Sequence, residues 1–548
     1  MLLIVRLFYL QAVRYPFFHK LANEEHAFSE KLQPKRGTIF DRNMRVLAVN
    51  LNRESVFANP RQIKDKNQAA KILASVLSLD KNVVAEKISR DKGFVWIKRK
   101  ITTKEALDLK KCNLKGIDFV EESKRFYPNL QLACHVLGSV DIDNKGLEGL
   151  ESLYNSYLKG EGGWLVSMQD AKKNLLKSYQ EEFLAPRNGY NLVLTIDDVI
   201  QNIAERELFK MYDKYHAKGA SIVVMDPKNG DILALASYPN FNLNNVSNRS
   251  TESLRNRAIN DFFEPGSIFK IITASAALEE NVVNFNDKFN CENGAWKIGK
   301  RVLHDHRPHG ILTFKEVIEK SSNIGTVKVA SLFGPKKMYE YMRLFGFYER
   351  TGIDLPGEVV GMNRPLAGWT PSSMYAIPMG QEVTSTTMQL ARAMAVIADN
   401  GFLVKPRIVK KIIDEDGEVV KEFPIQVTRK VISPQVAAKV RGLLMGVIES
   451  GTGQKAKMEE FSAGGKTGTA QKVIGGLYSH DSFVASFIGF APVSKPVLAV
   501  AVCVDEPRPV YYGGDVAAPV FKNVVDESLK YLNIKDAYMP VRQAIAKR

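Results

Sequence analysis

Two pairs of β-rich runs stand at opposite ends of the second half of this chain, with helix-forming sequence between them. Ala220–Met225 and Ile232–Ser237 flank Pro227-Lys228-Asn229-Gly230, a strong hairpin signal. Phe483–Phe490 and Val497–Val504 flank Ala491-Pro492-Val493-Ser494-Lys495-Pro496. Strands at both ends with helices between them predict an antiparallel sheet assembled from distant segments and packed against helices, an α+β arrangement. Tyr190–Ile196 reads as a further strand. Asp197–Tyr215 reads as an amphipathic helix with Asp197 or Asp198 near its N-cap, and about Ala517–Tyr531 as a closing helix.

The first half is different. From about Glu24 to Arg187, short strand-like runs alternate with amphipathic helices. Lys35–Asn43 ends in turn chemistry before the apolar Val46–Val49, which predicts strand, turn and strand. Gln68–Ile88 has helical periodicity, and nothing in this half reads as an active site. Ala185-Pro186-Arg187-Asn188-Gly189 reads as a linker. With 548 residues, two or three domains are expected. The divisions fall at 1–22, 23–187, 188–536 and a tail, 537–548. Apolar residues at 45% and charged residues at 25% exclude a disordered chain.

Met1–Phe18 is apolar but broken by Arg6, Gln11 and Arg14, against the roughly 20 mostly apolar residues of a membrane span. It lacks a small-residue cleavage site. The expectation is the outer end of a span whose beginning is missing. The net charge of +16 is spread along the chain without a basic, aromatic-interleaved helix, so no nucleic-acid partner is expected. A solvated surface, or attraction to an anionic polymer or membrane, remains. Cys112, Cys134, Cys291 and Cys503 are too few and too scattered for a disulfide scaffold.

Three short motifs carry the chemistry. In Glu264-Pro265-Gly266-Ser267-Ile268-Phe269-Lys270, Pro265 and Gly266 suit a helix entrance, and the helical run Ile271–Leu278 follows. A spacing of three places Ser267 and Lys270 on one helix face. A serine hydroxyl needs a base, and a buried lysine beside another cation loses its preference for the charged form. The helix N-terminus also offers N–H groups to a developing oxyanion. Ser78-Leu79-Asp80-Lys81 repeats the spacing, in what reads as an amphipathic helix, as a decoy. Ser321-Ser322-Asn323 follows the helical run Thr313–Lys320; its hydroxyl and amide can face a cleft from one turn, or serve as an ordinary helix cap. In Gly464-Gly465-Lys466-Thr467-Gly468-Thr469-Ala470, small residues let a strand edge lie against a peptide, Lys466 supplies charge, and the threonines supply donors for a carboxylate. It lacks the spacing of a phosphate-binding loop. His304, His306 and His309 have no acidic companions of the kind expected around a catalytic zinc and read as a loop near the cleft.

Ser-x-x-Lys, Ser-x-Asn and Lys-Thr-Gly in this order resemble the motif set of the penicillin-binding proteins and class A β-lactamases. Arg36–Asn43 and Gly146-Leu147-Glu148-Gly149-Leu150-Glu151 look like the signatures of the non-catalytic pedestal of class B penicillin-binding proteins. The resemblance runs from about Leu7 to Leu532. Asn323 is similar to the residue of the septal branch, where the elongation branch more often carries aspartate. Met44 departs from the glycine usual after Asp-Arg-Asn.

The resemblance implies a β-lactamase-like transpeptidase domain at 188–536, a pedestal (dimerisation-type) domain at 23–187 and a partial anchor at 1–22. It implies a D,D-transpeptidase that cross-links peptidoglycan stem peptides and is acylated by β-lactams. Ser267 is the expected nucleophile and Lys270 its base. Ser321 and Lys466 relay the proton, Asn323 holds the substrate amide and Lys270, and Thr467, Gly468 and Thr469 form the substrate-binding strand. Backbone N–H groups of Ser267 and Thr469 form the expected oxyanion hole. No cofactor or metal is implied. The expected setting is the cytoplasmic membrane, one N-terminal anchor, an extracytoplasmic catalytic domain, a glycan-polymerising partner and divisome membrane proteins. An elongation-type enzyme and a non-turnover β-lactam receptor or divisome scaffold are the alternatives. A β-lactamase is disfavoured, because no Glu-x-x-Leu-Asn follows Ser321.

Overall fold

The computed structural model describes residues 2–18, 27–169, 175–245, 249–299 and 301–536. The tail at 537–548 and residues 1 and 19–22 of the N-terminal segment lie outside the described residues.

The second half is laid out along the chain as helix α1 (Asp198–Lys214), strands β1 (Gly219–Met225) and β2 (Ile232–Tyr238), helix α2 (Lys270–Glu279), helix α3 (Asn323–Leu344, interrupted at Gly334-Pro335), strands β3 (Gly464–Ile474), β4 (Leu477–Ala491) and β5 (Leu498–Asp505), and helix α4 (Gly513–Tyr531). The strands form one antiparallel sheet in the order β2-β1-β5-β4-β3. The two distant strand pairs therefore meet as expected, β5 against β1. Along β5 the side chains alternate between two cores. Val500, Val502 and Val504 face the layer of α1 and α4, while Ala499, Ala501 and Cys503 face the layer that includes α2 and the helix Thr387–Ala398. Helices thus cover both faces of the sheet, and β3 is left as an edge.

Each helix is set locally. Asp197 caps α1 by accepting from Val199 and Ile200 N–H, and Ile200, Ile203, Ala204, Leu208 and Met211 bury its inner stripe. Thr313 and Glu316 form a reciprocal capping box at Phe314–Glu319, the short helix before Ser321.

In the first half, strands Val46–Ala58, Val95–Lys98 and Ile117–Phe126 pack against helices Lys66–Leu77, Lys81–Ser89 and Thr103–Lys111 around Val56, Leu73, Leu77, Val84 and Ile97. Gln68–Ile88 is two helices rather than one. Ser78 closes the first with φ +52°, and the Asp80 carboxylate caps the second at Asn82 and Val83 N–H. Ser78 and Lys81 therefore share no helix face, which disposes of the decoy for a reason other than the expected one. Met44 occupies its turn with φ +64°, the left-handed conformation in which a glycine would be freer.

The stretch read as a linker is tied down. Glu161 pairs with Arg187 through two backbone hydrogen bonds of 2.8 and 2.9 Å, and Gly189 N–H donates to Lys35 O at 2.9 Å. Asn191–Leu194 pairs in parallel with Ile39–Phe40 and antiparallel with Val409–Ile413, so one sheet runs through both halves. At this junction the two N-terminal signatures touch. Arg36 donates to Glu151 Oε2 at 2.7 Å, and Arg125 donates to Glu151 Oε1 at 2.6 Å, all three side chains being buried.

Residues 2–13 and 15–18 are helical, with apolar side chains exposed, Leu3 at 84% and Ile4 at 74% among them. No described helix is long and apolar enough to cross a membrane. The four cysteines are free thiols, with Cys112 exposed.

Candidate active site

Ser267 lies in a 3₁₀ turn, Gly266–Phe269, that runs directly into α2, so Lys270 begins the helix one turn on. Gly266 enters the turn with φ +55° and donates its N–H to Gly380 O at 3.1 Å. A Cβ on Gly380 would stand 2.0 Å from Gly266 O, so glycine is what allows these two backbones to approach. The sheet edge lies on the other side. Gly468 of β3 packs where a Cβ would come within 2.9 Å of Ile268.

Lys270 and Lys466 are both 0% exposed. Lys270 Nζ donates to Ser321 O at 2.6 Å, to Asn323 Oδ1 at 2.7 Å and to Ser321 Oγ at 3.2 Å. Lys466 Nζ donates to Ser321 Oγ at 2.9 Å and to Thr467 O at 3.2 Å. All three motifs therefore converge, with Ser321 between two amines. One expectation is modified: the three hydrogens of Lys270 are taken by Ser321 and Asn323, and Ser267 Oγ is not among its partners. Ser267 is half-buried.

Burial pushes Lys270 down to about 7, opposed by the negative charge of Asp305. Burial, and then the charge of Lys270, hold Lys466 well below an ordinary lysine. Two ammonium groups about one hydroxyl in a dry site are mutually unfavourable, so the arrangement favours a single proton shared across the pair.

Thr467 Oγ1 lies 2.8 Å from Thr452 Oγ1, and Thr469 Oγ1 accepts from Gly513 N–H at 3.0 Å, which leaves its hydroxyl hydrogen free. Because β3 is the last strand, its outer edge can receive an extended peptide. The groove is distinct from a cavity of ≈ 610 Å³ between Leu130, Leu132 and helix α1, which holds none of the motif residues.

Sequence reasoning missed Asp305. Its carboxylate accepts from Ser322 Oγ at 2.6 Å and from the N–H groups of Asn323 and Ile324, the latter at 3.0 Å. The three histidines drew attention to this loop, but its anchoring side chain is the aspartate between two of them. His304 contributes its backbone oxygen to Asn323 Nδ2 at 2.9 Å, and the His306 ring lies 5.3 Å from that of Tyr512.

Residues 220–526 match the penicillin binding protein transpeptidase domain, and residues 31–194 match the penicillin-binding protein dimerisation domain. The stage V sporulation protein D of Bacillus subtilis is 38% identical over 97% of this chain and 83% of its own length. The peptidoglycan D,D-transpeptidase FtsI of Escherichia coli is 30% identical over 97% of this chain and 90% of its own. The crystal structure of penicillin binding protein 3 from Mycobacterium tuberculosis, complexed with aztreonam, is similar with a TM-score of 0.73 and 27% identity, covering 92% of this chain and 98% of that one.

Proposed function

The chain belongs to the class B penicillin-binding proteins and is a serine-type peptidoglycan D,D-transpeptidase, and from that premise we propose which residues carry the reaction. Ser267 Oγ attacks the carbonyl carbon of the penultimate D-alanine of a stem peptide, and its proton passes to neutral Lys270. The oxyanion is held by the N–H groups of Ser267 and Thr469. The C–N bond then breaks. The proton reaches the departing D-alanine nitrogen through Ser321 Oγ, which stands between Lys270 and Lys466. An amine of a second stem peptide attacks the acyl-enzyme, releases Ser267 and forms the cross-link. Asn323 orients the substrate amide, and Thr467, Gly468 and Thr469 line the strand edge that takes the peptide and its terminal carboxylate.

The observation that carries this reading is the pair of buried amines on one serine hydroxyl, 3.2 and 2.9 Å away, beside the turn that bears Ser267. Labelling with a fluorescent penicillin, lost in Ser267→Ala, tests acylation. Cross-linking of a stem-peptide substrate separates an enzyme from a receptor that only acylates. A penicilloyl adduct that hydrolyses within seconds would contradict a synthase.

Asn323 at the third position of Ser-Ser-Asn supports a place in septal wall synthesis, in the company of a glycan polymerase and divisome membrane proteins. A tagged copy that follows the lateral wall and not the septum would favour the elongation reading. The exposed apolar side chains of residues 3–18 support an anchor in the cytoplasmic membrane with the catalytic domain outside it. Extraction of the full chain by salt alone would argue against that anchor.

A further inference from the structure

We infer that Asp305 is a positioning residue for acylation, clamping the entrance of α3 so that Ser321 and Asn323 hold Lys270 in place. Ser321 has φ +59°, so the chain reverses immediately before the helix. Ser322 is the local N-cap and already serves Gly325 N–H. The next two free donors, the N–H groups of Asn323 and Ile324, are taken by Asp305 Oδ1, while Oδ2 accepts from Ser322 Oγ. One carboxylate from another segment thus fixes three consecutive residues at the positive end of the helix.

The same loop orients the Asn323 side chain. His304 O accepts from Nδ2 at 2.9 Å, which turns Oδ1 toward Lys270 at 2.7 Å. The loop is itself pinned, with Asp305 N–H on Gly294 O at 3.0 Å and Cys291 N–H on Gly310 O at 2.7 Å. Lys270 is faced by Ser321 and Asn323 from the helix entrance, by Lys466 from β3 and by Asp305 from the loop. Asp305 is faced in turn by Ser322, Lys270 and the Cys291 thiol. Its charge is the one acidic influence resolved on Lys270 among the described residues, and it favours the protonated amine.

The test uses the full chain, a fluorescent penicillin and a pH series. In D305N, labelling of Ser267 is expected to slow on the order of 10- to 100-fold, the loss that follows from misplacing a reacting group by about an ångström. The rising limb of its pH profile moves to lower pH, because the charge that favours protonated Lys270 is gone. A wild-type rate overturns the inference. So does a rate that falls only in step with the melting temperature while the limb stays in place, the behaviour of an ordinary helix cap. Should D305N fail to fold, D305E keeps the charge on a longer arm: its limb stays at the wild-type pH while its rate falls, and a wild-type rate in D305E overturns the clamp. The inference rests on Ser267 as nucleophile, so S267A is run alongside. Label surviving in S267A sinks that reading, whereas an unlabelled S267A with D305N at full rate sinks this one alone.

Discussion

Lys466 Nζ lies 2.9 Å from Ser321 Oγ, although 145 residues separate them along the chain. The contact places an amine whose pKa burial holds well below that of an ordinary lysine on the hydroxyl that also meets Lys270. A hydrogen-bonded chain therefore runs from Lys270 to Lys466 through a single oxygen, the route proposed for the proton.

Removing that oxygen should interrupt the path. Ser321→Ala is expected to slow acylation by about 10²- to 10⁴-fold, the range of a lost general acid–base step. Its stability cost should be about 1–3 kcal/mol for each of the two buried amines, Lys270 and Lys466, that lose this acceptor. Rapid-mixing measurements of penicillin labelling, with melting curves beside them, separate the two. A rate within a few-fold of wild type contradicts the relay.

The pH dependence follows from Lys270. Burial lowers its pKa to about 7, and only the neutral amine has a lone pair for the Ser267 proton. Acylation should therefore rise from pH 6 to pH 8 and level off above. Lys270→Arg, which stays charged at every accessible pH, should remain inactive throughout. A flat profile between pH 6 and 8 would remove Lys270 as the base.

The pedestal makes a separate prediction. Glu151 answers two buried guanidinium groups, Arg36 and Arg125. Glu151→Gln leaves both cations without their counter-charge and should cost about 3–5 kcal/mol in denaturant unfolding. The sheet through Asn191–Leu194 joins this region to the catalytic half, so the loss should appear in both. A two-phase melt with an unchanged catalytic transition would show the halves to be uncoupled.

Gly380→Ala tests the nucleophile turn without touching a motif residue. The added Cβ meets Gly266 O at 2.0 Å, backbone against backbone, at a φ of +89° that alanine disfavours. The turn must shift, and labelling is expected to fall on the order of 100-fold. An unaffected labelling rate would mean that the turn has slack that its backbone contacts do not suggest.

Sequence alone determined the parts whose signals are local. β-rich runs flanking turn residues marked β1, β2, β4 and β5, the spacing of Ser267 and Lys270 marked one helix face, and Asp197 or Asp198 marked the start of α1. It also supplied both pedestal signatures, although not that Arg36 and Glu151 would meet. Packing decided the rest. Gln68–Ile88 broke at Ser78 because a left-handed residue and the Asp80 cap outweigh continuous periodicity. The stretch at Ala185–Gly189 became hydrogen-bonded backbone once partners from residues 35 and 161 reached it. Lys270 gave its hydrogens to Ser321 and Asn323, and Asp305 took the helix entrance, because those contacts exist only after segments far apart in the chain are folded together. A hydrogen bond depends on separations of a few tenths of an ångström, and no pattern of residue types along the chain carries that information.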